Sequence, residues 1–201
     1  MTEFITEVSA LEELYGRASP RSLEKVVTQI TPLYAKWIES SRFCVLTTVG
    51  PEGTDGSPRG DDGPVVRIAD PSTLMLPDWM GNNRMDSLRN IVRDGRVSLM
   101  FMVPGSENVV RVNGTAKISA DPDLTATFDQ RGKHPRSVIV ISVGEVYFQC
   151  AKALMRSRLW SGEDETAGLP TAGDLVKEVD PEFDATVYDR EYAEYAQGKM
   201  W

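Results

Sequence analysis

From Phe43 to Gln149 the chain reads with the period of strands. Six runs, "FCVLTTV", "PVVRIA", "TLMLP", "RVSLMFMV", "NVVRVNGTAKIS" and "SVIVISVGEVYFQ", are rich in β-branched and aromatic residues. Tight-turn signals separate several of them: Gly50-Pro51-Glu52-Gly53, Asp70-Pro71-Ser72 and Pro104-Gly105-Ser106. Short strands and tight turns packed into about a hundred residues predict an antiparallel barrel rather than a sandwich. Only two helical interruptions fall inside this region, one after the turn at residues 81–84 and one from Asp121-Pro122 to Phe128. Strict β-α-β alternation is missing, which disfavours a Rossmann sheet. Gly144, inside the last run, marks a bulge or bend.

The flanks are helical. Ser9-Ala10-Leu11-Glu12 is a capping-box pattern, and Ser19-Pro20 and Thr31-Pro32 each pair an N-cap with a proline at the first helical position. Leu23, Val26, Val27 and Ile30 form an apolar stripe at helical spacing, as do Leu33, Tyr34, Trp37 and Ile38. Beyond the strands, "CAKALMRSRLW" reads as a helix, and an acidic tail starts another at Asp180-Pro181 over Glu182 to Gln197. The expected organisation is N-terminal helices over 1–40, a barrel domain over 41–160 and an acidic helical extension over 161–201. The fold class is mainly β with peripheral helices, α+β.

Composition removes several functions. A formal charge of -8 repels nucleic acid and anionic lipid. No apolar run approaches the length of a bilayer span, and "MTEFITEVSALEELYGR" lacks the basic and apolar regions of a secretory signal. The expected location is cytoplasmic, with Cys44 and Cys150 reduced and buried and Arg59-Gly60-Asp61 a coincidental adhesion tripeptide. His134 is the only histidine, which removes histidine-rich metal sites; its turn-like setting reads as a solvated loop. No G-x-G-x-x-G follows a strand and no P-loop lysine follows the glycines of "GPEGTDGSPRG".

The stretch "PDWMGNNRMDSLRNI" passes from a strand end through Gly81-Asn82-Asn83-Arg84 into a helix. Asn83 is placed to cap that helix by accepting from the Asp86 amide, with Arg84 and Met85 in its first turn. The open amides, the helix dipole, the Asn82 amide and the Arg84 fork then suit an anion, phosphate above all. From spacing alone, a capped helix with a solvated arginine is the plainer reading. Arg59 stands in a glycine-flanked loop where a guanidinium can approach an anion. Arg67 and Arg111 lie inside strands, where a charge points to solvent or meets a partner. Lys152 and Arg156 share a helical face at i, i+4, with Trp160 beyond them; like charges there are explained by a common anion or by solvation.

The run from "RFCVLTTV" to "RVNGTAKIS" resembles the pyridoxamine 5'-phosphate oxidase-like flavoproteins, nearest to a bacterial branch of FMN-dependent enzymes. The resemblance covers about residues 40 to 160, and "NNRMDSLRNI", "RVSLMF" and "RVNGTA" in that order are its specific part. It implies a six-stranded antiparallel split barrel and a homodimer with FMN at the subunit interface. It implies an FMN phosphate held at Pro77, Asp78, Asn82, Asn83 and Arg84, with an upstream arginine that matches Arg59, or Arg67 under another gap placement. Asp78 departs from the family's hydroxyl, and the tail "VYDREYAEYAQGKMW" lacks the oxidase's tryptophan and arginine signature. FMN-dependent redox of a small organic substrate is therefore the leading expectation, without the oxidase's own reaction. A deazaflavin reductase of the same fold, a non-enzymatic flavin or haem module, and a barrel that has lost its ligand are the alternatives.

Overall fold

The computed structural model describes residues 2–201. Met1, the first residue of the predicted N-terminal segment, lies outside the described residues. Three helices lead in: α1 (Val8–Tyr15), α2 (Pro20–Glu24) and α3 (Pro32–Glu39). Ser19 and Thr31 are the N-caps of α2 and α3, each followed by its proline as expected. Ser9, by contrast, lies inside α1, whose N-cap is Glu7, so the predicted capping box does not form. The predicted stripe from Leu23 to Ile30 is also broken. α2 stops at Glu24, and Val27 instead pairs in extended form with Val146, exchanging backbone bonds of 3.0 and 2.7 Å. Val26, Val27 and Thr28 are consecutive β-branched residues, which favour that strand-like pairing over another helical turn.

The strands are β1 (Phe43–Gly50), β2 (Gly53–Gly60), β3 (Arg67–Asp70), β4 (Thr73–Asp78), β5 (Arg96–Met102), β6 (Val109–Ser119) and β7 (Ser137–Gln149), with α4 (Asp86–Arg93) between β4 and β5. They form one antiparallel sheet in the order β2-β1-β5-β6-β7-β4-β3. A six-stranded split barrel was expected; the sheet has seven strands, and no ladder joins the edge strands β2 and β3 among the described residues. The additional strand is β2, "GTDGSPRG", which the sequence presents as loop. It pairs along its whole length with β1, from Gly50↔Gly53 to Phe43↔Gly60. Pro58 has no amide to donate, which is tolerated because β2 is an edge.

One face of the sheet builds the core. Cys44, Leu46 and Thr48 of β1 alternate inward, as do Val97, Leu99 and Phe101 of β5 and Leu74 and Leu76 of β4. Ile38 of α3 is fully buried among them. On β7 the inward residues are Ile139 and Ile141 but then Val146, a change of parity. The predicted bulge produces it. Asn113 pairs with Glu145 and Gly114 with Val143, leaving Gly144 without a partner, so both halves of β7 face the core.

Helix α4 packs on β1 and buries Ser87, Asn90 and Ile91, one face at i, i+3, i+4. Asn90 donates to Thr48 at 3.1 Å, and a Cβ on Gly50 would overlap Asn90 Oδ1. That close approach fixes the height of α4 above the sheet. Three more short helices follow, α5 (Pro122–Thr125), α6 (Lys152–Ser157) and α7 (Ala172–Val179), and then α8 (Ala185–Gln197). α7 was not foreseen; Thr171 and Asp174 form its capping box. α8 starts three residues later than predicted, with Asp184 as its cap, accepting from the Val187 amide. Among the described residues no helix is long and apolar enough to cross a membrane.

Candidate functional site

A cleft of about 900 Å³ opens between β2, the end of β4 and the turn that leads into α4. Six residues singled out in the sequence line it: Arg59, Pro77, Asp78, Asn82, Asn83 and Arg84. Asp55, Ser57 and Arg59 alternate toward it along β2 and are half-buried, while Gly56, Pro58 and Gly60 are exposed. The strand period places Arg59 there, and the free-loop description of Arg59 is corrected accordingly.

Arg59 Nη1 donates to Asp78 Oδ1 at 2.6 Å, with both side chains about four-fifths buried (19% and 18% exposed). The carboxylate that would repel a phosphate is thus held by the very arginine expected to bind one. Arg59 Nε is buried and has no partner. Across the strand pair stands Cys44. Burial pushes its thiol up to about 12, and the Arg59 charge opposes that in part. Cys150, expected to be buried, is exposed. A thiol reagent at neutral pH is therefore expected to label Cys150 in the folded protein and Cys44 only after denaturation. Mass spectrometry of the labelled chain checks this, and a native-state adduct on Cys44 would contradict it.

The turn differs from the simple cap the sequence suggests. Asn83 and Met85 both take left-handed backbone, at φ 60 and 61°, and the helix starts at Asp86 with Met85 as its N-cap. Asn82, not Asn83, closes the local turn, accepting from the Arg84 amide at 3.1 Å. Asn83 Oδ1 instead accepts from Arg136 Nη1 at 3.2 Å. Met85 offers no side-chain acceptor, so the first-turn amides of α4 keep their capacity to receive an anion. Arg84 is 75% exposed, and its Nε donates to Asp86 Oδ2 at 2.9 Å. Ser87 donates to Asp55 at 2.5 Å, closing the α4 end of the cleft. Arg59, Arg84 and Arg136 are balanced by Asp55, Asp78 and Asp86. The cleft therefore offers no net positive charge, and an anion entering it would have to exchange partners with these carboxylates.

The other singled-out residues lie away from this cleft. Arg67 donates to Thr127 Oγ1 and O at 2.8 and 2.6 Å and stacks 3.8 Å over the Phe128 ring, clipping the segment after α5 to β3. Arg111, mid-β6, reaches Ser98 and the Tyr147 ring. Lys152 and Arg156 are exposed on α6. Trp160 Nε1 donates to Ser106 O at 2.9 Å and holds the turn between β5 and β6. His134 bonds the Phe128 carbonyl at 2.6 Å and is exposed in its loop, as expected.

The sequence did not point to Arg136, Ser57, Asp55, Tyr192 or Met200, all of which line the cleft. Arg136 follows a proline immediately before β7, a position that fixes where a side chain projects. Tyr192 and Met200 carry no such signal.

The sequence model of the family described as pyridoxamine 5'-phosphate oxidase matches residues 30–150. The chain therefore belongs to the pyridoxamine 5'-phosphate oxidase family. Comparison with curated proteins gives no match. Among solved structures, HupZ of Group A Streptococcus is 20% identical, with a TM-score of 0.48 over 58% of this chain and 91% of that one. A candidate pyridoxamine 5'-phosphate oxidase from Lactobacillus delbrueckii is 22% identical, with a TM-score of 0.49 over 60% and 95%. An FMN-binding protein from Syntrophomonas wolfei is 15% identical, with a TM-score of 0.45 over 71% and 93%.

Proposed function

We propose that the cleft binds FMN and that the protein is an FMN-dependent oxidoreductase acting on a small organic molecule. Family membership supports the cofactor class. The observation that carries the reading is the turn at residues 82–85, where a helix start without a side-chain cap stands beside Arg84 and Arg136. The residues fit the group: the buried Nε of Arg59 has no partner, and the Asn82 and Asn83 amides line the same cleft. Arg59, Asn82, Asn83, Arg84 and Arg136 would hold the phosphate end, with Pro77 and Asp78 forming the adjoining wall. Bound FMN supplies hydride or electron transfer, and the chain supplies binding, orientation and electrostatics.

The reading extends to a split-barrel homodimer. Arg111, Lys152, Arg156 and Trp160 lie outside the cleft of their own protomer, and a second copy is the means by which they would reach a flavin. The direct test is the absorption spectrum of the purified protein, with mass spectrometry of whatever denaturation releases. A flavin spectrum and the mass of FMN are expected. A colourless protein that takes up no added FMN, or a haem spectrum, would contradict the reading.

A further inference from the structure

The C-terminal segment reaches back to the cleft. α7 and α8 pack on one another, locked by Asp189, which accepts from Thr171 Oγ1 at 2.5 Å and from the Gly173 amide at 2.9 Å. From Phe183, just before α8, the rings of Phe183, Tyr188 and Tyr192 follow at centroid spacings of 5.3 and 5.4 Å, and Tyr192 ends in the cleft wall. Residues 198–201 then run as a strap tied to the sheet domain. Lys133 Nζ donates to the Gly198 and Trp201 carbonyl oxygens at 3.3 and 2.7 Å. The Arg131 guanidinium lies 4.4 Å from the Trp201 ring centre, and Trp201 Nε1 donates to Asp61 Oδ1 at 3.2 Å. Asp61 is a hub, since it also accepts from Gln130 at 2.8 Å and from Trp79 Nε1 at 2.7 Å. Between these ties, Met200 lines the cleft.

The ties place the strap at one end. Asp61 and Trp79 follow directly on β2 and β4, whereas Asp55, Ser87 and Arg84 close the other end against α4. At the strap end Tyr192, Met200, Trp79 and Met80 gather aromatic and thioether surface, and the nearby charge of Asp61 is already engaged by Trp201, Trp79 and Gln130. Such a surface suits a flat heteroaromatic ring rather than a second anion.

We propose that the 198–201 strap and Tyr192 form the wall of the ring-binding end of the cleft, and that the seat of Trp201 on Asp61 sets how firmly a flavin ring is held. The proposal rests on the flavin reading above. The wall acts on the ring, so it acts equally on flavins with and without a phosphate, while Arg84 acts on the phosphate alone.

The test titrates ligand-free protein with FMN and with riboflavin, and records the thermal midpoint of each variant. Trp201→Ala and Tyr192→Ala should each weaken both ligands by the same factor, about tenfold for loss of a charge-assisted hydrogen bond or an aromatic wall. Trp201→Phe, which keeps a ring over Arg131 but loses the indole donor, should fall between wild type and Trp201→Ala. Arg84→Ala should weaken FMN and leave riboflavin unchanged. If folded Trp201→Ala and Trp201→Phe keep wild-type affinities, or lose FMN affinity alone, the strap proposal is overturned while the flavin reading stands. A wild-type protein that takes up neither flavin overturns both.

Discussion

Replacing Gly114 with alanine is expected to lower the stability of the fold by more than about 3 kcal/mol, in the range reserved for steric conflict in a packed interior. A Cβ at that position would overlap the Ser142 carbonyl oxygen and lie 3.1 Å from its carbon. Both are backbone atoms of the partner strand, so no rotamer change relieves the overlap. Relief requires the β6–β7 ladder to part beside the Gly144 bulge, and that ladder carries the parity change that keeps Ile139, Ile141 and Val146 all in the core. Gly56, on the edge strand β2, is the control. A Cβ there meets nothing within 4 Å, so Gly56→Ala should shift stability by no more than about 0.5 kcal/mol. Urea unfolding of the two variants checks the pair; equal midpoints would show the bulge account to be wrong.

The second large effect concerns the Arg59–Asp78 pair. Arg59→Ala removes a guanidinium from the cleft and leaves Asp78 as a largely buried carboxylate without its partner, so FMN affinity should fall by roughly a hundredfold. Asp78→Asn acts in the opposite sense. It releases Arg59 toward the phosphate and removes a repelling charge, and affinity should rise by about tenfold. In the double variant the loss should be smaller than in Arg59→Ala alone, since the stranded carboxylate is gone. A double-mutant cycle on FMN binding measures this coupling. Effects of the same sign that simply add would show that the pair does not govern anion binding.

Much of the sheet was legible because burial writes a period into the chain. β1, β4, β5, β6 and β7 each show it, and the glycine at the bulge stands out inside an otherwise continuous run. β2 was not legible. Its glycines, proline and polar residues have low strand propensity, and only the ladder with β1 holds them extended. The turn before α4 was half legible: residue types suited to an anion were visible, but a left-handed methionine at 85 has no sequence signal, and it moved the helix start and the role of Asn83. The electrostatics of the site were not legible either. Arg59 finds Asp78 across 19 positions, and Trp201 finds Asp61 across 140, so the pairing that neutralises the cleft and the strap that walls it exist only once the sheet has formed.

The central claim is that this cleft recognises a flavin through its phosphate, and the comparison of FMN with riboflavin tests it most directly. Both ligands carry the same ring and ribityl chain, so any difference in affinity reports the phosphate. Hydrogen bonds to a charged group contribute about 1.5–3 kcal/mol each, so ligand-free protein should bind FMN at least about tenfold more tightly than riboflavin. That difference should shrink in Arg84→Ala. Equal affinity for FMN and riboflavin in the wild-type protein would contradict the account.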